Sequence, residues 1–248
     1  MLPPETERVW SFLKDRPELA GFVLVGGSAL SLRIGHRISE DLDLACLNHQ
    51  LPRHRLEALV SQAHKAGLEF ANNDDEAVVA EFVHGGLELR DYQQDFLVSG
   101  VVKVSFFVPD QAQLRVLRPG LPAGARIAEI SELFQSKSLL SARRSKSRDW
   151  FDLYVLLKDH GFTWRDYVRA FEDAGLAPQA DIGFTRLCSG VPQRDDEGFQ
   201  QLLPNPPSLT ELKSYFEKLR EQREIETARE VVRERGANVE LGGDTDAP

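Results

Sequence analysis

The chain has 248 residues, of which 42% are hydrophobic and 28% are charged. This composition is typical of a folded protein with one sizeable core, or of a main domain with a smaller one. The formal net charge is −9, which excludes a uniformly basic nucleic-acid coat. Any polyanion must therefore bind at a local basic patch.

The cysteines and the hydropathy pattern bear on the cellular compartment. Cys46 and Cys188 lie far apart in the sequence and have no metal-ligand spacing, so we expect no disulfide framework and a reducing setting. The N-terminus lacks a signal-peptide pattern, and no apolar run reaches the roughly 18 residues that a membrane span needs. The sequence predicts a cytoplasmic protein without a membrane segment.

Residues 1–67 alternate helical and strand-like patterns. Apolar spacing, glycines and capping residues predict five elements: a helix at 5–16, a buried strand at 21–25, a short helix capped by Ser28 and ended by Gly35, a two-faced strand at 41–46, and a helix from Pro52 to Gly67.

The remainder of the chain changes from β-rich to helical patterns. Residues rich in Val, Phe and Leu predict strands at 68–71, 77–83, 87–92 and 101–108. Prolines and glycines predict a loop over 111–126. Helices are predicted at 128–142, 147–159, 164–174 and 209–235, with a loop at 189–208.

These elements predict an α+β protein with a sheet in its N-terminal half and helices in its C-terminal half. The predicted boundaries are an α/β core at 1–110, a linker at 111–127, a helical domain at 128–236 and a disordered tail at 237–248.

Residues 26–43, GGSALSLRIGHRISEDLD, begin with a glycine pair at a predicted helix start. Gly26 and Gly27 carry no side chains, so a phosphate can approach the backbone closely. A helix that begins at Ser28 would present free N–H groups and a partial positive charge to that phosphate. The segment therefore predicts a phosphate-binding turn.

Two aspartates end the same segment. Alternation along a strand places Asp41 and Asp43 on one face, about 6–7 Å apart along the chain. Two such carboxylates can hold Mg²⁺ against the phosphates of a nucleoside triphosphate. A glycine pair is usually only a turn, and an Asp-x-Asp pair is common on surfaces. Their order on strand, turn, helix and strand favours the functional interpretation.

This segment resembles the first motif of the AbiEii/AbiGii toxin family, part of the DNA polymerase β-like nucleotidyltransferase superfamily. The family pattern, Gly-Gly-Ser/Thr-Ala-Leu and then Arg-x-Ser-x-Asp-x-Asp, matches Gly26, Gly27, Ser28, Ala29, Leu30, Arg37, Ser39, Asp41 and Asp43. A second segment resembles the family's later lysine and Arg-x-x-Asp-x-x-Asp motifs, at Lys137, Arg148, Asp149 and Asp152. The resemblance spans residues 22–157 and implies a nucleotidyltransferase-type mixed sheet.

The resemblance also implies roles for the matched residues. The metal ligands would be Asp41 and Asp43, and the catalytic set would add Lys137 and Asp149. The implied nucleotide-binding residues are Gly26, Gly27, Ser28, Arg37, Ser39 and Lys137. Lys137 would contact the triphosphate, Asp149 would orient that lysine or the acceptor hydroxyl, and Asp152 would brace Arg148 or a neighbour.

One position departs from the superfamily. Many members carry a third carboxylate on a following strand, and here Ser105 stands at the matching position, with Lys103 on the same face. Either two aspartates suffice or the site is weak.

A run of basic residues without an acid extends from Lys137 to Arg148. Such a run is most often a solvated face, but it contrasts with the net charge of −9. The residues predicted to hold RNA are Arg143, Arg144, Lys146 and Arg148.

Three functions remain open at this point. The first is a Mg²⁺-dependent toxin that transfers a nucleoside monophosphate from an NTP to RNA, in particular tRNA, with a cognate antitoxin implied by the family. The second is a transferase that acts on a small molecule or a protein. The third is an inactive nucleotide-binding protein. The intact Asp41 and Asp43 pair argues against the third, and the basic run favours RNA over a small molecule.

Overall fold

The computed structural model describes the backbone of residues 1–241 and the side chains of residues 1–233. Within this part of the chain, six strands form one mixed sheet: β1 Phe22–Val25, β2 Leu42–Cys46, β3 Phe70–Asn72, β4 Gln93–Val98, β5 Val102–Phe107 and β6 Arg126–Ile127. The α-helices are α1 Pro4–Leu13, α2 Gly26–Ile34, α3 Arg53–Lys65, α4 Glu76–His84, α5 Gln111–Val116, α6 Ile130–Ser141, α7 Ser147–Asp159, α8 Trp164–Asp173, α9 Gln179–Ser189 and α10 Leu209–Leu241. The predicted α+β class is confirmed.

The sheet order is β3-β4-β5-β2-β1-β6. β1 and β2 are antiparallel, and Val25 at the end of β1 is the register partner of Asp43 in β2. β2 and β5 are parallel, with Asp43 opposite Ser105. Since paired residues point to the same face of a sheet, this topology brings the turn after β1 next to Asp43.

One face of the sheet carries a row of aromatic side chains. Phe22, Phe106, Phe96 and Phe70 make successive edge-to-face contacts, with ring centroids 5.8, 6.0 and 5.4 Å apart. Such contacts stabilise a core beyond the area that they bury. The four rings lie on β1, β5, β4 and the edge strand β3, so the row spans five strands and holds them together as one unit.

The predicted strand at 77–83 is wrong, because these residues lie in α4. The Asp75 side chain accepts a hydrogen bond from the Ala77 N–H at 2.8 Å, which caps the helix start. The Val- and Phe-rich composition suggested a strand, but a good cap overrides a weak local preference.

The predicted strand at 87–92 is also wrong. A short 3₁₀ turn occupies Leu89–Asp91, and the strand β4 follows it, where sequence reasoning placed none. Residues 93–98 begin with two glutamines and an aspartate, which obscured the β pattern. The other predicted elements of the first 110 residues are present, with ends shifted by a few residues, as is usual for element boundaries.

The loop predicted over 111–126 contains two regular elements. Asp110 caps α5 by accepting a hydrogen bond from the Gln113 N–H at 2.9 Å. Residues 126 and 127 form β6, which pairs in parallel with β1 through Val23 and Leu24. The segment between the halves of the chain is therefore attached to the sheet, and the division at 111–127 remains a prediction.

The C-terminal half contains the predicted helices and one further helix, α9, in a segment for which no element was predicted. The predicted loop at 189–208 is interrupted by a 3₁₀ turn at Gln200–Leu202. Of the tail predicted to be disordered, residues 237–241 belong to α10, and residues 242–248 lie outside the described part of the chain. Among the described helices, none has the length and apolarity that crossing a bilayer would require.

We expect Phe106→Ala to lower the free energy of unfolding by about 3–5 kcal/mol, because it removes a fully buried ring from the centre of the aromatic row. Val101→Ala is the control, since that side chain is exposed, and it should change stability by less than about 0.5 kcal/mol. Urea unfolding monitored by circular dichroism measures both values. Similar stabilities for the two variants would contradict the importance of the row.

Candidate active site

A cleft of about 510 Å³ lies between the adjoining ends of β1 and β2 and the helices α6 and α7. Nearly all of the residues predicted for nucleotide, metal or RNA binding line it: Gly26, Gly27, Arg37, Ser39, Asp41, Asp43, Lys137, Arg143, Arg144, Lys146, Arg148 and Asp149. Residues more than 100 positions apart in the sequence therefore face a single cavity.

The surroundings of Gly26 and Gly27 leave no space for a side chain at either position. Gly26 has a φ of +70°, and a side chain on it would collide with the carboxylate of Asp43. A Cβ on Gly27 would lie 2.6 Å from Nη2 of Arg37 and 2.8 Å from Oγ of Ser39. The glycines thus allow the acidic pair and the Arg37 guanidinium to approach the turn, in addition to leaving space for a phosphate.

Ser28 does not cap the helix, which corrects the prediction. The positive φ of Gly26 turns the chain directly after β1, so α2 begins at Gly26 and its cap residue is Val25. Ser28 is buried in the first turn, where its hydroxyl donates a hydrogen bond to the Asp41 carbonyl. The side chain fixes the strand that carries the aspartates, while the first-turn N–H groups of Gly27 and Ser28 lack partners within the helix.

Asp41 and Asp43 are half-buried and face the cleft. Burial, together with the charge of Asp41, raises the pKa of Asp43 to about 6. Burial also raises the pKa of Asp41, although Lys103 and Arg148 act in the opposite direction. Two neighbouring carboxylates whose ionisation is disfavoured by burial form a site that a cation would stabilise.

This arrangement fits a divalent cation. Mg²⁺ is commonly bound by one or two carboxylates together with the phosphates of a substrate, and it keeps several waters. Asp41 and Asp43 would hold it. Among the residues whose side chains are described, no group of three His, Cys, Asp or Glu side chains is arranged to bind a metal, so the structure offers the ion this pair without a third described protein ligand.

Five side chains of alternating charge cross the floor of the cleft, and we call them the charge chain: Arg37, Asp152, Lys137, Asp149 and Arg144. Arg37 donates to both oxygens of Asp152, at 2.7 and 3.0 Å. Lys137 Nζ lies 2.8 Å from Asp152 and 2.6 Å from Asp149. Arg144 Nε completes the chain at 2.7 Å from Asp149. All of its members except Arg144 are buried.

The cations set the ionisation of the two aspartates. Although burial by itself would raise their pKa values, Lys137 and Arg144 lower the pKa of Asp149, and Lys137 and Arg37 hold that of Asp152 well below its ordinary value. His36 also contacts Asp152, at 2.7 Å, but burial lowers the pKa of His36. Both aspartates are therefore ionised and His36 is neutral at pH 7.

Two predicted contacts can be compared with this network. Lys137 and Asp149 are paired, in agreement with an Asp149 that orients the lysine. Asp152 was predicted to brace Arg148 or a neighbour. The prediction is wrong for Arg148, because Asp152 instead contacts Arg37, Lys137 and His36. Although Arg148 and Asp152 are one helical turn apart on α7, Arg148 Nε donates to the Gly198 carbonyl and the Asp152 carboxylate is occupied by its three other partners.

Each residue of the predicted RNA-binding set has an acidic neighbour. Arg143 pairs with Asp110, Arg144 with Asp149, Lys146 with Asp195 and Arg148 with Glu197. Asp149 was a predicted site residue, but sequence reasoning missed Asp110, Asp195 and Glu197, because the basic run contains no acid and these partners come from distant segments. The acidic run at 195–197 was the available signal, and it lies in a segment predicted only as a loop.

Asp95 is a further acidic residue that sequence reasoning missed. It is the register partner of Ser105, which is itself opposite Asp43, so the three residues lie in one row across the sheet. Its Oδ1 is buried without a hydrogen-bond partner, and its charge contributes to the raised pKa of Asp43. The superfamily's third carboxylate is thus absent from β5, but an acid lies one strand further away.

We expect Asp152→Asn to lower the free energy of unfolding by about 3–5 kcal/mol, because it leaves Arg37 and Lys137 short of a buried counter-charge. Asp159→Asn, at the exposed end of the same helix, is the matched control and should have little effect. Chemical denaturation of the three proteins measures the difference. Equal destabilisation by both substitutions would contradict the role of the charge chain.

We also expect the stability difference between the wild type and Asp152→Asn to depend on pH. The folded-state pKa of Asp152 is depressed, so its contribution is complete above about pH 4 and is lost as the pH falls through the folded value. The stability difference between the wild type and Asp152→Asn should be constant from about pH 7 to 5 and shrink only in stronger acid. A difference that already disappears near pH 6 would contradict an ionised Asp152.

Comparison with known proteins identifies the family. The family model described as "Nucleotidyl transferase AbiEii toxin, Type IV TA system" matches residues 10–234. A search of curated proteins found no match. Among solved structures, a Helicobacter pylori protein described as a nucleotidyltransferase is 18% identical, with 89% of this chain and 95% of that chain covered and a TM-score of 0.47. JHP933 from Helicobacter pylori is 19% identical, with 93% and 100% covered and a TM-score of 0.46.

The family match extends over both the sheet and the helices that enclose the cleft. The chain therefore belongs to the AbiEii family of nucleotidyltransferase toxins, which act in type IV toxin–antitoxin systems.

Proposed function

We propose that this protein transfers a nucleoside monophosphate from an NTP to an RNA acceptor, in particular tRNA, in a Mg²⁺-dependent reaction. The observation that carries the proposal is the meeting of Asp41, Asp43 and the glycine turn in the cleft that is floored by the charge chain. In this reaction an acceptor oxygen forms a bond to the α-phosphorus, the bond from that phosphorus to the bridging oxygen breaks, and pyrophosphate leaves.

The glycine turn and the aspartates divide the binding of the triphosphate between them. First-turn N–H groups of α2 bind phosphate oxygens, because they lack partners in the helix and lie at its positive end. Asp41 and Asp43 hold Mg²⁺, which when bound offsets the charge of the phosphates during transfer. At neutral pH most of Asp43 is ionised, since its pKa is about 6, and it is ready to bind the ion.

The charge chain supplies the electrostatic setting. Three cations and two ionised aspartates leave an excess of one positive charge beneath the cleft, which favours a bound polyphosphate. Lys137 is held by Asp149 and Asp152, so its position costs no reorganisation when the nucleotide binds. Arg37 and Ser39 border the glycine turn, where they support the proposed nucleotide pocket.

The basic residues favour RNA over the alternative acceptors. Arg143, Arg144, Lys146 and Arg148 line the same cleft as the aspartates, so a bound strand would have its end close to the reacting phosphate. A small-molecule or protein acceptor would not need this row of cations. The third alternative, an inactive nucleotide-binding protein, is disfavoured by the intact acidic pair.

We expect Asp41→Asn and Asp43→Asn each to reduce nucleotide incorporation by about 100-fold or more, because even the outer partners of metal ligands cost about 10–100-fold when removed. The assay uses each labelled NTP, Mg²⁺ and tRNA or total RNA. Asp15→Asn, an exposed aspartate of the same half, is the control. Full activity of either active-site variant would rule out the metal assignment.

The same assay separates the three functions. Labelled RNA supports the proposed acceptor. Incorporation into protein or a small molecule, with RNA unlabelled, would replace RNA by the second alternative. Mg²⁺-dependent NTP binding without any transfer, across all acceptors, would favour the third.

We expect Gly26→Ala to lower incorporation more than Gly35→Ala does. Both glycines have positive φ, at 70° and 62°, so the backbone strain is similar. A methyl group on Gly26 would collide with Asp43, whereas none of the described atoms lies within 4 Å of a Cβ on Gly35. Isothermal titration with Mg²⁺ and NTP should show weaker binding for Gly26→Ala alone. If both variants lost the same activity, backbone strain alone would explain the loss, and the contact between Gly26 and Asp43 would have no role.

A further inference from the structure

Residues 193–198, QRDDEG, form a segment that borders the cleft through Asp196 and Glu197, and we call it the acidic strap. Beyond its C-terminal end, Phe199 is fully buried and stacks on Phe151 with ring centroids 4.8 Å apart. Before its N-terminal end, Gly190 ends α9 in a left-handed conformation. The residues that flank the strap thus belong to packed structure at both ends. Its acidic residues Asp195 and Glu197 are exposed.

The strap runs in the same direction as residues 145–148, which end the turn between α6 and α7 and begin α7, and it contacts each of these four residues, with Arg194 outside the series. Gln193 and Ser145 exchange two hydrogen bonds, both 2.9 Å long. Lys146 Nζ lies 2.9 Å from the Asp195 carboxylate.

The next two residues continue this order. The Ser147 N–H and hydroxyl donate to the carboxylate of Asp196, at 2.9 and 2.5 Å. Arg148 Nη1 lies 3.0 Å from Glu197. Three successive carboxylates therefore occupy a lysine, a helix N-terminus with its serine hydroxyl, and an arginine.

These three groups are the donors that proteins use for the phosphates of nucleic acids. The strap also reaches the reaction centre, because Asp196 and Glu197 line the cleft together with Asp41 and Asp43. The negative charge of Glu197 is one of the influences that raise the pKa of Asp41. An RNA strand that approached the aspartates over residues 146–148 would meet the strap first.

The two ion pairs of the strap are weak enough for a polyanion to replace them. The side chains of Asp195 and Glu197 are 73% and 62% exposed, and those of Lys146 and Arg148 are 26% and 27% exposed. Ion pairs between such exposed groups add little to stability and are screened by salt. A ligand with several linked phosphates competes well with them, because each contact formed makes the next one intramolecular.

We propose that the acidic strap is a built-in mimic of RNA phosphates, which covers the acceptor surface formed by Lys146, Ser147 and Arg148 until RNA displaces it. The inference rests on the proposed RNA acceptor. The strap keeps shorter or less charged anions away from this acceptor surface, and only an acceptor with several phosphates displaces it.

The first test removes charge from the strap while leaving the helix-capping Asp196 in place. The variant D195N/E197Q should bind a fluorescent single-stranded oligoribonucleotide at least about 10-fold more tightly than the wild type. Its binding should also depend more steeply on salt, by about −0.7 in log–log slope for each additional phosphate that the protein neutralises. The matched control is E172Q/D173N, which removes the same charges from exposed positions on α8.

The outcomes of this test are distinct. Tighter binding by D195N/E197Q alone supports the strap. Equal increases in affinity for both variants would overturn it, since net charge would then explain the effect. Unchanged or weaker RNA binding by D195N/E197Q would overturn it as well, because the strap would be only a structural clamp.

The second test prevents displacement. The variant S145C/Q193C joins the strap to the turn when oxidised and releases it when reduced. RNA binding should be lost on oxidation and return on reduction, while Mg²⁺-dependent NTP binding stays the same in both states. An oxidised protein that binds RNA as tightly as the reduced one would overturn the proposal.

Labelling of RNA separates this proposal from the proposed function. If the wild type labels RNA but the oxidised and reduced proteins bind RNA equally, the strap proposal fails and the RNA acceptor stands. If oxidation controls RNA binding but no protein labels RNA, the strap stands and the acceptor assignment fails.

Discussion

The candidate site depends on the charge chain that runs from Arg37 through Lys137 to Arg144. Burying charged groups is costly unless each one is paired, and here every aspartate lies between two cations. The charge chain connects the loop before β2 with helices α6 and α7 in the C-terminal half of the protein. The position of Lys137 relative to the aspartates of β2 is therefore set by short, charged contacts that tolerate little displacement.

The glycine turn also keeps the charged side chains of the site in place, because it lets them approach the backbone closely. Gly27 is where the Arg37 guanidinium approaches the backbone, and Gly26 is where the Asp43 carboxylate does so. A side chain on Gly27 would displace Arg37 of the charge chain, and one on Gly26 would displace the Asp43 carboxylate beside it. The glycines and the charged residues are thus parts of one packing arrangement, and substitutions at one should be felt at the other.

The sequence was most informative where local chemistry decides the structure. The apolar run before Gly26 and the alternation around Asp43 predicted β1 and β2, and these two strands present the acidic pair. The failures have two separate physical causes. α4 was taken for a strand because its Val-rich sequence hides a helix that the Asp75 cap initiates, and β4 was missed because its first residues are polar.

Partners across the fold were beyond the reach of sequence reasoning. The link between Asp152 and Arg37 spans 115 residues and follows no local rule. Asp95 joins the row of Asp43 and Ser105 only through strand register, which the mistaken strands between 77 and 92 had obscured. The acids of the strap illustrate the same limit, since the basic run looked unpaired until the fold brought residues 195–197 against it.

The two-residue strand β6 has a consequence for how the cleft can move. β6 pairs with β1, and α6, which carries Lys137, begins directly after it. The helix is therefore attached to the same sheet that presents Asp41 and Asp43. The two walls of the cleft consequently have no free hinge between them at this point. If the proposed acceptor requires the cleft to widen, this attachment favours movement of the loops at the rim over rotation of one half of the chain against the other.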